Sequence, residues 1–257
     1  MKMRFCIVLT AIIIIAISLH TTSLYAEITD GEKLTFNINY GIISAAEASL
    51  EIKSSSLLDK PVWLITSNAK TYPFFDSVFK VRDTVQSYWE KENLQTLRFS
   101  KRLNEGKYRQ YRVQTYDHEK KLSIYQNWGF KKQTFKIKQI VIPANTQDIL
   151  SAFYYVRQQN LVPGRSVPIN ITTDGKSYST VVLVHRREQI DSIFGKKTCL
   201  VIEPKLRGEA MFKQSGRILI WVTDDKYKIP LKLTSQIVFG AFSATLKSAQ
   251  NVPYPLK

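Results

Sequence analysis

The sequence predicts a mainly β protein: a strongly curved antiparallel sheet, half-barrel or open barrel, packed on one central helix. Three observations predict it. Apolar residues recur with a period of two along most of the chain, turn-forming clusters separate these runs, and a single segment changes to the helical period.

The alternating runs come first. Leu34-Phe36-Ile38-Tyr40, Phe135-Ile137, Val167-Ile169-Ile171, Tyr178-Thr180-Val182-Val184 and Ile229-Leu231-Leu233 each place apolar side chains on one face and polar ones on the other. Such strands are half buried. Turn signals stand between them at Asn104-Glu105-Gly106-Lys107, Asp117-His118-Glu119-Lys120, Thr173-Asp174-Gly175-Lys176 and Thr223-Asp224-Asp225-Lys226. At this spacing they mark an antiparallel meander of roughly a dozen strands.

The helical segment is expected at about residues 147–159. Ile149, Leu150, Ala152, Phe153, Tyr154 and Val156 recur at helical spacing, and Asn160 with Pro163-Gly164 ends the run. Asn145 or Thr146 is the expected cap, with Asp148 in the positive field of the first turn. Ile149, Phe153 and Val156 form one stripe, which Leu150 and Tyr154 widen beyond the usual apolar face. A face that wide implies an enclosed helix, and a sheet curling around it would enclose it.

Residues 1–26 read as a secretory signal peptide, cleaved after Ala26, leaving a single mainly β domain over 27–257. Met1-Lys2-Met3-Arg4 is a basic head, Phe5 to Leu19 is apolar apart from Thr10 and Ser18, and Leu24-Tyr25-Ala26 supplies the cleavage site. The apolar run is shorter than the roughly 20 residues that span a bilayer. Of 37 Lys and Arg in the 257 residues, Lys2 and Arg4 leave with the leader, so 35 basic residues face 21 acidic ones, a net of +14. In an exported chain this charge meets anionic lipid headgroups and other envelope polyanions instead of nucleic acid. Cys199 is the one cysteine outside the leader and reads as a buried strand residue, so it is expected to be inert. These features point to the periplasm.

Chemical motifs are sparse. His118 and His185 lack partners at metal-ligand spacing, Asp224-Asp225 reads as a hairpin turn, and no nucleophile elbow occurs. Arg82-Asp83, flanked by Phe79, Val81 and Val85, reads as a structural clasp between strands. No catalytic residue, cofactor or metal is expected. Lysine recurs on the outer face through Phe130-Lys131-Lys132-Gln133-Thr134-Phe135-Lys136-Ile137-Lys138, against the lipid-facing band of an outer-membrane barrel. The 13 Phe, 13 Tyr and 4 Trp are the stronger clue, because one helix and a curved sheet rarely fill the space between them. Ile149, Phe153, Val156, Tyr154, Trp221 and Phe239 are the candidate lining of an apolar cavity.

Six blocks of the chain also carry a resemblance. Gly31-Glu32-Lys33-Leu34, Tyr40-Gly41-Ile42-Ile43, Arg82-Asp83-Thr84-Val85-Gln86-Ser87-Tyr88, Glu105-Gly106-Lys107-Tyr108-Arg109, Asp148-Ile149-Leu150-Ser151-Ala152-Phe153-Tyr154-Tyr155-Val156-Arg157 and Trp221-Val222-Thr223-Asp224-Asp225 resemble the domain of unknown function 3108 family, in that order. The likeness spans about Glu32 to Ala249. It implies an exported bacterial protein with no assigned activity, built as a curved antiparallel sheet with a helix against its concave side. That outline is similar to the half-barrels of periplasmic lipoprotein carriers, whose concave faces hold acyl chains. The expected function is therefore non-enzymatic binding of an apolar or amphipathic, lipid-like envelope molecule, with peripheral membrane contact in keeping. The alternative is a structural or assembly partner of an envelope protein complex, with no nucleic-acid role.

Overall fold

A computed structural model describes residues 27–206, 217–237 and 240–255 of the chain. Residues 1–26, read as a signal peptide, and Phe239 lie outside the described residues. Fourteen strands form one antiparallel sheet in the order β8-β7-β6-β5-β4-β3-β2-β1-β14-β13-β12-β11-β10-β9. The first meander runs through β1 (Lys33–Tyr40), β2 (Ile43–Leu57), β3 (Lys60–Thr71), β4 (Arg82–Glu90), β5 (Thr96–Glu105), β6 (Tyr108–Asp117), β7 (Leu122–Gly129) and β8 (Thr134–Val141). The second runs through β9 (Ser166–Thr173), β10 (Lys176–Ser192), β11 (Gly195–Leu206), β12 (Ile218–Thr223), β13 (Pro230–Ile237) and β14 (Gly240–Gln250). Pairing of β1 with β14 joins the two, from Lys33 opposite Gln250 to Tyr40 opposite Phe242.

The sheet does not close into a barrel: β8 and β9 are its two edges. The chain passes from one edge to the other through α2 (Ile149–Arg157). Just before α2, Gln147 adds a parallel bridge to Ile171 on the free side of β9, donating from N to Asn170 O at 2.8 Å and accepting from Thr172 N at 2.8 Å. The tip of the β9–β10 hairpin reaches the first meander. Asp174 contacts Lys101 of β5 at 2.7 Å and Arg112 of β6 at 2.9 Å, while Gly175 N donates to Gln114 and Gly175 O accepts from Lys138. Asp174 and Gly175 have φ of 50° and 72°, the left-handed pair that a two-residue hairpin turn needs. That turn is the Asp-Gly signal read from the sequence.

Two helices interrupt the strands. α1 (Pro73–Phe79) is a second helix besides the one that the sequence predicts. Proline at its first turn starts it, and no side chain caps it. α2 is shorter than expected, and its cap is Asp148, neither Asn145 nor Thr146. The Thr146 hydroxyl is instead engaged with Thr172 at 2.7 Å, and Asn145 adopts a left-handed φ of 54°. Asp148 accepts from Leu150 N and Ser151 N, and Ser151 Oγ accepts from Asp148 N, a reciprocal capping box with serine in the usual Glu position.

α2 touches strands of both meanders. Tyr154 packs with Ile52 of β2, Ile65 of β3 and Trp89 of β4. Ala152 and Val156 pack with Ile169, Val182, Val184, Leu200, Ile202 and Val222 of β9 to β12. Removing each large apolar side chain from water stabilises by roughly 1.5–3 kcal/mol, so this contact set fixes the helix. The buried residues of α2 are Ser151, Ala152, Tyr154, Val156 and Arg157, whereas Ile149 is 47 % exposed. Its buried face is therefore rotated from the Ile149-Phe153-Val156 stripe and includes two polar residues.

Candidate functional site

An apolar cavity of about 210 Å³ lies between the first turns of α2 and the sheet. Leu150 and Phe153 form its helix wall. Phe36 and Ile38 of β1, Ala48 and Leu50 of β2, Ala244 of β14, and Ile220 and Leu233 of β12 and β13 form the other walls. Period-two alternation builds this surface: Phe36 faces Ala48 and Ile38 faces Ala46 across β1 and β2, while Ile38 meets Ala244 across β1 and β14. The small alanines opposite large residues leave the space. Ser49, Ser67 and Lys232 are the polar residues on the lining.

Of the residues expected to line a cavity, Phe153 lines this one. Tyr154, one position on, points into the β2–β4 core, its ring 6.4 Å from Trp89. Val156 is buried against β9 to β12, and Ile149 stands at the exposed start of the helix. Trp221 belongs to a different cluster, with Cys199, Val201 and Leu231. Alternation along β12 puts Trp221 on the face opposite Ile220 and Val222. Lys232 lies with its ammonium 5.0 Å from the Trp221 ring centre. Sequence reasoning missed Phe36, Ile38, Leu50 and Leu233, although alternation put Phe36, Ile38 and Leu233 on the apolar faces of their strands. It had no means of placing their strands around the same space.

A buried polar layer carries α2 above this cavity. Asp148 Oδ2 accepts from Ser87 Oγ of β4 at 2.5 Å, and Thr96 Oγ1 of β5 lies 2.6 Å from Ser151 Oγ. Burial pushes the Asp148 carboxyl above the ordinary carboxylate range, and its hydrogen bonds to Ser87, Ser151 and Leu150 only partly offset this. At the other end of the helix, Arg157 pairs with Glu32 and donates to Tyr227 O. These groups hold the helix, because each has its polar partners within the protein.

Other chemistry-bearing residues are similarly engaged. Arg82 binds Asp76 at the start of β4, at 2.5 and 3.0 Å, and makes no pair with Asp83, which instead accepts from Asn104 N. Neighbours on a strand face opposite ways, so the expected clasp joins β4 to α1 through a different acid. Asp225 accepts from Tyr227 N and Lys228 N in the turn after β12, and Asp224 pairs with Arg187. His185 meets Glu203 at 2.6 Å, and His118 Nε2 meets Thr96 O at 2.7 Å. Cys199 is buried in β11, and burial pushes its thiol up to about 12. Among the described residues no group of three or more His, Cys, Asp or Glu is placed to hold a metal. A larger open groove of about 820 Å³ surrounds Lys60, Glu90 and His118, but Glu90 is already bound by Lys60 at 2.8 Å and Asn93 at 3.2 Å.

A family model described as "Protein of unknown function (DUF3108)" matches residues 35–247. The chain belongs to this family. The DUF3108 match covers the strands and the helix that build the cavity, from Phe36 in β1 to Ala244 in β14. No curated protein sequence matches the chain. Among solved structures, a β-barrel-like protein of domain of unknown function DUF1849 from Brucella abortus is similar over 88 % of this chain and 99 % of its own, at 10 % identity and a TM-score of 0.60. That likeness extends to the fold alone. A protein described as exported, with a YmcC-like fold, from Bacteroides fragilis aligns at 6 % identity and a TM-score of 0.33, over 89 % of this chain and 99 % of its own. Among the described residues of this DUF3108 member, no helix is long and apolar enough to cross a membrane.

Proposed function

We propose that this protein is an exported, non-enzymatic binding module that takes the apolar part of a lipid-like cell-envelope molecule into the space between α2 and the sheet. The observation that carries the reading is the cavity itself. At about 210 Å³ it exceeds the roughly 150 Å³ of an apolar cavity known to stay dry and accept benzene. Its walls offer aliphatic and aromatic surface, which favours a hydrocarbon chain over water.

The reading takes the sheet to curl around α2 as a half-barrel. In a flat sheet the edges β8 and β9 would stand about 60 Å apart at the usual strand spacing. Yet only the residues between Val141 and Gln147 separate the end of β8 from the bridge to β9, an extended reach of about 22 Å. The contacts of Asp174 and Gly175 with β5, β6 and β8 agree with the shorter distance. The basic head and apolar run of residues 1–26 support export to the periplasm. An edge-strand docking role has less support, since β8 carries exposed Lys136 and Lys138, the kind of charge that blunts edge pairing.

The test is competition by an environment-sensitive fluorescent fatty acid. The wild-type protein is expected to bind it saturably. Ala48→Trp, which places an indole in the cavity, is expected to weaken binding at least tenfold while the protein remains folded. Equal binding by the folded filled variant and by wild type would contradict the proposed site.

A further inference from the structure

The apolar side chains left on the surface gather at one end of the sheet. Successive antiparallel strands return alternate connections to the same end, so the β1–β2, β5–β6 and β7–β8 turns and the α1 connection share it. The start of β14 joins them, because Phe242 pairs with Tyr40 and their rings lie 5.1 Å apart. Exposed there are Ile42 and Ile43, Tyr108, Phe130, and the α1 residues Phe74, Val78 and Phe79. Among the described residues at the opposite end, the exposed large apolar ones are fewer: Leu58, Val141 and Ile149.

α1 is the most telling part. An amphipathic helix normally turns its apolar face to the core. None of the seven residues of α1 is buried, and Phe74 and Val78, one turn apart on one face, are 78 % and 80 % exposed. The helix is nevertheless held firmly. Asp76 is bound by Arg82 and Thr71, and Gly106 N donates to Lys80 O at 2.8 Å. It is a fixed platform presenting apolar side chains outward.

Basic residues predominate around this end. Lys80, Lys107, Arg109, Lys131 and Lys132 are exposed and form no ion pair among the described residues. Asp76 is paired with Arg82, and Glu47 with Lys70 and Lys247, while Asp83 and Glu105, which form no ion pair among the described residues, are outnumbered by these five cations. We propose that this end of the sheet, led by α1, docks on the surface of an anionic lipid bilayer. Phe74, Val78, Ile42 and Phe130 enter the boundary between headgroups and acyl chains, and the lysines meet the lipid phosphates. A second copy of the chain is a poorer occupant, because the same cations would oppose one another across a rim-to-rim contact. The surface is separate from the cavity and goes beyond the binding reading.

The experiment is co-sedimentation of the exported protein with vesicles of phosphatidylglycerol and phosphatidylethanolamine, against vesicles of phosphatidylcholine alone. The wild-type protein is expected to bind the anionic vesicles at least tenfold more tightly, with binding weakened by salt. Phe74→Ser with Val78→Ser, and separately Lys131→Glu with Lys132→Glu, are each expected to lower it tenfold or more at unchanged thermal stability. Ala48→Trp is expected to bind vesicles as the wild type does, which distinguishes failure of the rim from failure of the cavity. Equal binding to neutral vesicles, no binding to anionic ones, full binding by the folded rim variants, or rim-dependent self-association without lipid would overturn the proposal.

Discussion

Arg157, in the last turn of α2, grips the Glu32 carboxylate at two points, Nη1 to Oε1 at 2.6 Å and Nη2 to Oε2 at 2.8 Å, with side chains only 1 % and 2 % exposed. This pair ties the helix to the entry of β1 across 125 residues of sequence. Burial alone would push the guanidinium down, but the carboxylate beside it prevails and holds it up. Breaking one side strands a buried charge. Glu32→Ala or Arg157→Ala should therefore destabilise by about 3–5 kcal/mol, whereas an apolar pair such as Glu32→Leu with Arg157→Met should recover most of that loss. Urea unfolding of the single and double variants reads both effects, and a loss below 1 kcal/mol in the single variants would remove the pair from the account.

Asp148 predicts an unusual pH response. Its carboxyl is raised above the ordinary 3.8, chiefly by burial, so the folded state holds the proton more tightly than the unfolded state. Stability from this group is present below about 3.8 and is lost as pH rises through the folded value. Asn also caps helices well and carries no charge to bury. Asp148→Asn should be neutral or stabilising at pH 7 and should flatten that part of the stability profile. Asp148→Ala should cost about 1–2 kcal/mol through the lost cap. Denaturant midpoints from pH 3 to 8 measure this, and an Asn variant weaker than Ala at pH 7 would oppose it.

The strands and the connections of this fold were legible because their signals are local. The alternation of Leu34-Phe36-Ile38-Tyr40 becomes β1, and Asp174-Gly175 becomes the β9–β10 turn. The helix was legible in kind but not in orientation, since Arg157 and Ser151 are buried by partners that no short-range pattern announces. No local pattern marks Glu32, just before β1, as the partner of Arg157. Among the cavity walls, Phe36, Ile38 and Leu233 were readable as apolar-face residues, but the convergence of the walls depends on β14 pairing with β1, a contact between residues far apart in the chain. α1 stayed hidden because seven residues are too short a run for the helical spacing of Phe74, Phe75, Val78 and Phe79 to stand out, and no side chain caps its start.

The hairpin seat gives a third prediction. Gly175 has φ of 72°, and an added Cβ would stand 2.9 Å from Cδ1 of the Tyr125 ring. Gly175→Ala should cost at least about 1–2 kcal/mol for the left-handed backbone, with a further loss from displacing Tyr125. Hydrogen exchange should show faster opening at the β9–β10 tip and β7. Unchanged protection at both would mean that the hairpin is not seated there.

Cys199 gives a fourth. A thiol buried in β11 and pushed up to about 12 holds very little thiolate at neutral pH. Iodoacetamide at pH 8 should leave the folded protein unlabelled for hours and modify it rapidly in denaturant. Fast labelling of the folded protein, followed by mass spectrometry, would contradict this burial.

The central claim is that the space between α2 and the sheet holds hydrocarbon. Native mass spectrometry of the protein purified gently from a bacterial envelope tests it most directly. The account predicts adducts of lipid mass on the wild-type chain that Ala48→Trp lacks; a wild-type chain that is empty in repeated preparations, or equal lipid on both folded proteins, would contradict it.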